Sequence, residues 1–483
     1  MAPYLSQPVR TLLRRPFGRR YDAAHPLIRR ARLSGRQPEH TSGGKINRMQ
    51  KYMRWSAILV VLMIALAACQ SGGGDASEEP EESAAESAPA STDDGGGGSA
   101  AETCGADEFG CIEVAEGESI RISTALVISG ADSSLGLDAQ YGVQVANEER
   151  PEVAGREVEL DFQDDGCSAE GGTTVAQSLA SDTTIAAVIG TSCSSAGVPA
   201  SEILSGQGIL LVSPSATAPS LTLPDARQPF FFRTAHNDEI QGAAMADFAF
   251  NVLGVTTAAT IHDGGPYTEQ LQQVFQDAFI ELGGEITGTE AVDPEATDVS
   301  GQLTSLAAGS PEFLFFPIFI QAGGQVARQA HETEGLEDTI LAGADGILSP
   351  AFIEAAGVEN ANGMYMSGPQ ADFGDRYQNE FLPAYSDVSG EEEPIAAFHA
   401  HAYDAYNIVA DAIEEVGIDE DGTLYIPRTA LRDYLAGLAD YDGLTGSLTC
   451  NENGDCANST ITVREVREGE FVPIWNSVDG DLE

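Results

Sequence analysis

A chain of 483 residues, 42% of them hydrophobic, is long enough to bury more than one core, so two or more domains are expected. Its charge is unevenly spread: residues 1–54 hold 13 Lys and Arg against two acids, whereas everything after Cys69 holds 73 acids, 11 arginines and no lysine, a formal charge of −62. A surface of that sign excludes nucleic acid as a partner.

Acid excess without lysine fits two readings equally: adaptation to high salt, or an acidic exported protein from a GC-rich genome. Residues 1–48 form a basic leader longer than an export signal needs, and Met49 is the expected start of translation. Residues 49–68 read as a signal peptide: Lys51 and Arg54 precede an uncharged apolar run that ends in Leu66-Ala67-Ala68-Cys69. Such a run is too short for a comfortable membrane span. Its ending resembles the bacterial lipobox, which implies cleavage before Cys69 and lipidation of that thiol. An uncleaved anchor is the alternative, and both place the bulk of the chain outside the cytoplasm. Residues 69–103 then comprise the anchor cysteine and an acidic Gly, Ser, Ala and Pro linker that cannot bury enough apolar surface to fold. Its r.m.s. reach is about 30 Å.

Lipidation of Cys69 leaves six cysteines, an even number in an oxidising compartment. Sequence neighbours suggest Cys104–Cys111 and Cys450–Cys456, which leaves Cys167–Cys193. A zinc site competes, but no pair is C-x-x-C and the histidines are scattered, so disulfides are expected.

From Ser119 onward, short β-branched runs alternate with amphipathic stretches. Strands are expected at Ile120–Ile128, Glu157–Gln163, Ile185–Ile189, Ile209–Ser213, Phe230–Thr234, Thr257–His262, Ile286–Val292, Phe313–Pro317, Thr339–Leu341 and Met364–Ser367. Helices are expected at Gly172–Ala180, Glu239–Leu253, Thr268–Leu282, Val299–Ala307, Gly324–Glu334, Pro350–Ala356 and Phe373–Tyr385. The strands are near-continuous apolar runs, as parallel sheets covered on both faces require. Ten are many for one sheet, so the reading is α/β with two lobes. Further helices are expected over Ile395–Val416 and Pro427–Leu438, with proline at the latter's start. Gly446–Cys450 and Ser459–Val466 alternate like a hairpin, and Val472–Trp475 is a last strand.

Two Ser/Thr-rich turns, T-S-C-S-S at Thr191–Ser195 and V-S-P-S-A-T-A-P-S-L-T at Val212–Thr222, each follow an apolar run and precede a helix-like one. Ser194 opens such a run, where backbone N–H groups and a hydroxyl can converge on an anion. Ser215 and Thr217 lie in the second turn, stiffened by Pro214 and Pro219. Together with D-D-G-C-S-A, F-F-R-T, H-D-G-G-P-Y and G-A-D-G, these marks resemble the type I substrate-binding proteins of branched-chain amino-acid ABC transporters. The likeness runs from about Ser119 to Trp475. It implies two Rossmann-like lobes with parallel sheets, joined by a three-crossover hinge and closing on a ligand. Lobe 1 would be 118–237 plus 369–446, and lobe 2 would be 238–368 plus 447–478. It also implies a disulfide between Cys167 and Cys193. Carboxylate contacts would come from Ser194, Ser215 and Thr217, and ammonium and hinge-side contacts from Tyr267 and Asp345. The implied role is a monomeric receptor that needs no cofactor or metal and hands a small amino acid to ABC permease membrane subunits.

The chain departs from that pattern at Leu135 in S-S-L-G and Phe319 in P-I-F-I, where the family often has tyrosine. Both changes make the ligand pocket more apolar. Asp345 stands where glutamate is common, a shorter arm. Asp238 in H-N-D-E resembles a hinge-region acid and equally fits a cap for a helix starting at Glu239. Binders of amides, urea or aromatic acids, and sensory receptors, use the same scaffold. Catalytic constellations are absent: G-x-S-x-G does not occur, and H-E-T-E at His331–Glu334 lacks a second histidine. His399 and His401 lie in an expected helix with no paired acid motif. The turn Asp419–Gly422 lacks the spacing of a calcium loop.

Overall fold

The computed structural model describes residues 99–457 and 460–482. The basic leader, the signal segment and Cys69 lie outside them. Numbered along the chain, the strands of the first half are β1 Cys111–Val114, β2 Ile120–Leu126, β3 Glu152–Val153, β4 Arg156–Asp164, β5 Ile185–Gly190, β6 Leu210–Ser213 and β7 Phe231–Arg233. Those of the middle are β8 Thr257–His262, β9 Glu285–Ala291, β10 Phe313–Phe315, β11 Ile340–Gly343 and β12 Tyr365–Pro369. The last third adds β13 Ile418–Glu420, β14 Thr423–Pro427, β15 Tyr441–Gly443, β16 Gly446–Leu448, β17 Ile461–Arg467, β18 Glu470–Asn476 and β19 Gly480–Asp481.

Two large sheets result, each the centre of a lobe. The first has the order β3-β4-β2-β5-β6-β7, and all its pairs except β3 with β4 are parallel. Its β5 and β6 are buried at every position, as expected for a sheet with helices on both faces. The second has the order β19-β18-β17-β12-β11-β10-β8-β9. It is parallel from β9 to β12 and antiparallel from β12 to β19, so the parallel expectation holds for only part of it. The chain passes between the sheets three times: between β7 and helix Asp238–Asp247, after β12, and between Cys456 and β17.

Three expectations are corrected here. The linker stops before Thr103, because Ser99 caps helix Ala100–Ala106 by accepting from the Glu102 N–H, and Ala100 is buried. Disulfide Cys104–Cys111 then ties that helix to β1, which pairs with β14 on the first lobe. The hairpin of Gly446–Cys450 with Ser459–Val466 does not form. Strand β16 pairs with β15, around a turn whose Leu444 and Thr445 N–H groups donate to the buried Asp404 carboxylate (2.6 and 2.9 Å), while β17 pairs with β12 and β18. Finally, the third crossing falls about ten residues later than the 446/447 boundary. Leu448, Cys450 and Cys456 still pack in the first lobe's core, and the Cys456 N–H donates to Arg233 O (3.0 Å) at the end of β7.

Helix Ser133–Glu149 lay outside the expected elements, since two glycines lower its helical signal. Those glycines serve packing: a Cβ on Gly142 would lie 2.0 Å from His399 O, so this helix lies close against helix His399–Val416. Among the described residues no helix is long and apolar enough to cross a membrane.

Candidate functional site

The first lobe's contribution begins where β5 ends. Cys193 is the N-cap of helix Ser194–Ser205 and makes no side-chain cap bond, its sulfur being joined to Cys167. The first-turn N–H groups therefore have no side-chain cap. Asp165 ties the two cysteine loops together, accepting from the Cys167 and Ser192 N–H groups (2.8 Å each). Burial pushes its carboxyl up to about 7. Sequence reasoning missed this residue, although D-D-G-C was the mark that contained it.

Two of the three expected hydroxyls of this face are already engaged, and in different senses. Ser194 Oγ accepts from the Ala218 N–H (3.0 Å), so its own proton remains to give. Ser215 Oγ donates to Ser192 O (2.9 Å), so it can only accept from a ligand. Thr217 is fully buried, and its hydroxyl lies toward Asp238 without meeting hydrogen-bond geometry to any group.

The opposite face belongs to the second lobe and the hinge. Tyr267, in the first turn of helix Pro266–Glu281, donates to Asp345 Oδ1 (3.2 Å) and accepts from the Gly346 N–H (3.1 Å). Its ring lies against Phe319, with centroids 5.4 Å apart. Gln241 Nε2 also donates to Asp345 Oδ1 (2.5 Å), and Gln241 Oε1 meets His236 Nε2. Asp238 is fully buried, with neither carboxylate oxygen hydrogen-bonded. Asn237, not Asp238, caps the helix, accepting from the Glu239 N–H (2.9 Å).

Electrostatically this face is tense. Burial pushes the Asp238 carboxyl well up, and the neighbouring Asp345 pushes it further; Asp345 is pushed up by burial too. Burial pushes the His236 imidazole down; His236 still offsets part of the upward push on Asp345, and Arg233 part of that on Asp238, but burial outweighs both. His236, Asp238 and Asp345 each offer a ligand atom within 4.8 Å of one another. A positive charge brought here would stabilise both carboxylates. Gln241 was missed by sequence reasoning; its signal was the i, i+3 spacing from Asp238 at a helix start.

Six of the seven expected ligand residues line one cavity between the lobes: Leu135, Ser194, Ser215, Tyr267, Phe319 and Asp345, joined by Ser192, Cys193 and Gly346. Thr217 is not on its wall. The free volume is about 10 Å³, room for roughly one water molecule. The lobes are closed on it. Ser220 and Gln270 exchange two hydrogen bonds (2.9 Å each), the Ile320 N–H donates to Asp132 Oδ1 (3.2 Å), and Ser349 Oγ donates to Ser134 Oγ (3.0 Å).

The remaining candidates lie elsewhere. Disulfides Cys104–Cys111 and Cys450–Cys456 form away from the cavity wall. His399, expected without an acid partner, has one after all: its Nδ1 is 3.0 Å from Asp138 Oδ2 on helix Ser133–Glu149. That pairing escaped the sequence because 261 residues separate the two.

Comparison with known proteins agrees with this layout. A family described as "Periplasmic binding protein" matches residues 119–470. The chain is 28% identical to the Leu/Ile/Val-binding protein homolog 3 of Brucella melitensis, over 73% of this chain and 93% of that one. It is 26% identical to the leucine-, isoleucine-, valine-, threonine- and alanine-binding protein of Pseudomonas aeruginosa, over 72% and 90%. Among solved structures, a leucine-binding protein from Thermotoga maritima superposes with a TM-score of 0.67 at 26% identity, over 74% of this chain and 98% of that one.

Proposed function

The chain belongs to the periplasmic binding protein family, and we propose that it is the solute receptor of an ABC transporter, anchored by a lipid on Cys69, that closes around a small α-amino acid with an apolar side chain and delivers it to the permease. One observation carries the reading. Ser194, with a proton to give at a helix N-terminus, and Asp345, a buried carboxylate pushed up by desolvation, line the same cavity from opposite lobes. A zwitterion satisfies both at once. Its carboxylate would take the Ser194 hydroxyl and first-turn N–H groups, and its ammonium would meet Asp345 and the acceptor side of Ser215.

Each charge-assisted hydrogen bond contributes about 1.5–3 kcal/mol net. A few of them supply much of the roughly 8 kcal/mol of a micromolar complex. Leu135 and Phe319 offer the side chain an apolar wall without hydroxyls. The closed cavity is smaller than any such ligand, so entry requires the lobes to part at the three crossings.

Thermal shift and calorimetry in molar salt, against amino acids, short amides, urea and aromatic acids, test the reading. Stabilisation by an aliphatic α-amino acid is expected. No response to any α-amino acid, with a response to an amide or aromatic acid, would replace it with the alternative use of the scaffold. Anchoring is tested separately: Cys69→Ala should move the protein from the membrane fraction to the soluble one.

A further inference from the structure

The F-F-R-T mark ends β7 on an arginine that is fully buried. Every nitrogen of the Arg233 guanidinium is engaged. Nη1 donates to Ala216 O and Ala218 O (3.0 Å each), Nη2 to Thr222 Oγ1 (2.7 Å) and Nε to Asp455 Oδ1 (2.5 Å). Three of these bonds go to the turn that carries Ser215 and Thr217. The Ala216 and Ala218 carbonyls belong to the peptides on either side of the Thr217–Ala218 peptide, and peptides are planar, so holding both sets the direction of the Ala218 N–H. That N–H donates to Ser194 Oγ (3.0 Å), which leaves the Ser194 proton for a ligand. The task needs donors in a fixed planar fork, which arginine has and lysine lacks.

The fourth bond ties this brace to the third crossing. Disulfide Cys450–Cys456 closes a loop that lies along β7, where the Arg233 N–H donates to Gly454 O (2.9 Å) and the Cys456 N–H to Arg233 O (3.0 Å). Gly454 permits the approach, because its φ is +91° and a Cβ there would lie 2.7 Å from Phe231 O. Asp455 reaches Arg233 from this seat, and its other oxygen accepts from Asn237 Nδ2 (3.4 Å), the cap of helix Asp238–Asp247 at the first crossing. On the reading that an amino-acid carboxylate takes Ser194, we propose that Arg233, held by Asp455 of the disulfide-closed loop, is the positioning residue of the carboxylate subsite. It acts through the Ala216–Ala218 backbone on Ser194, and the loop at the third crossing thereby sets the affinity for the carboxylate.

Arg233 also eases the charge on Asp238, so its own variants would disturb both ends of the cavity, and the test is made at its partner and the loop. In the whole exported protein, Asp455→Ala and the double variant Cys450→Ser/Cys456→Ser should each weaken leucine about tenfold by calorimetry. Leucinamide, which lacks the carboxylate, should change less than about twofold in both. Asp455→Asn, which keeps an acceptor for Nε, should recover most of the lost leucine affinity. A second readout needs no ligand: in the two weakened variants, hydrogen exchange of the Ala218 N–H, followed by NMR, should accelerate about tenfold more than that of the β5 amides. Unchanged leucine affinity, equal weakening of leucine and leucinamide, or an Ala218 amide that accelerates no more than those of β5 would overturn the proposal. A wild type that binds no leucine would overturn the amino-acid reading instead, and the exchange result would still decide the role of Arg233.

Discussion

The two faces of the small cavity solve different problems. On the first-lobe face almost every polar group is answered by backbone: Ser213 Oγ donates to Thr191 O (2.8 Å) and accepts from the Ala216 N–H (2.8 Å), and Ser192 Oγ accepts from the Val127 N–H (3.0 Å). Behind the hinge face, Asp238 has two unanswered oxygens, His236 Nδ1 has no partner, and a second carboxylate presses from Asp345. The first-lobe face keeps only the Ser194 proton and the uncapped helix N–H groups for a ligand, and the hinge side keeps buried charge. Specific orientation should therefore come from the first lobe, and most of the ligand-dependent stabilisation from the hinge.

Breaking the hinge face should have the largest effect. Asp345→Asn keeps an oxygen for Gln241 and Tyr267 but removes the charge, and amino-acid affinity should fall about 10- to 150-fold, as for loss of one charge-assisted bond. The ligand-free protein should melt no lower, because the repulsion with Asp238 disappears. Unchanged affinity by calorimetry would take the ammonium away from Asp345. The wild type should show the linkage directly. Both carboxyls are pushed up, so folding takes up protons, and ligand-free stability should rise as pH falls from neutral toward the ordinary carboxylate value of about 4. Asp345→Asn should flatten that slope.

On the other face the effects should be graded by proton direction. Ser194→Ala should weaken carboxylate-bearing ligands about tenfold, since the hydroxyl that it removes has a proton to give. Ser215→Ala should cost only a few-fold, mostly through the lost tie to Ser192 O. Thr217→Val, off the cavity wall, should change affinity less than about twofold. A Thr217 effect as large as that of Ser194 would mean that the open form presents a different face.

What the sequence made legible follows from range. The strand ends carrying Ser194, Ser215 and Asp345 sit beside strong apolar runs, so local pattern marked the turns, and the family resemblance singled out these residues within them. The groups behind the cavity wall showed less: Asp238 was legible as a hinge-region acid or a cap, but Gln241 and His236 acquire meaning only when the chain after β11 brings in Asp345, 104 residues after Gln241. The same holds for Asp138 and His399, and for the late third crossing, where the docking of Asn451–Cys456 against β7 overrides a plausible hairpin. Gly142 shows the converse: a residue that weakens the helix signal is there because another backbone passes too close for a Cβ.

A pH-dependent effect lies at the lip where the faces meet. Asp132, on the first lobe, accepts from the Ile320 N–H of the second (3.2 Å), and burial in the closed form pushes its carboxyl up to about 6. Opening returns it to water and to about 4. Closure therefore takes up a proton between those values, and the ionised form resists closing above them. Ligand affinity should be severalfold higher at pH 5 than at pH 7, up to about tenfold if the open-state carboxyl is fully solvated. Asp132→Asn keeps the acceptor for Ile320 and removes the charge, so its affinity should match the wild type's low-pH value and lose this component of the pH dependence. A titration in which the variant follows the wild-type slope would place the proton uptake deeper, at Asp238 and Asp345, and leave the lip electrostatically silent.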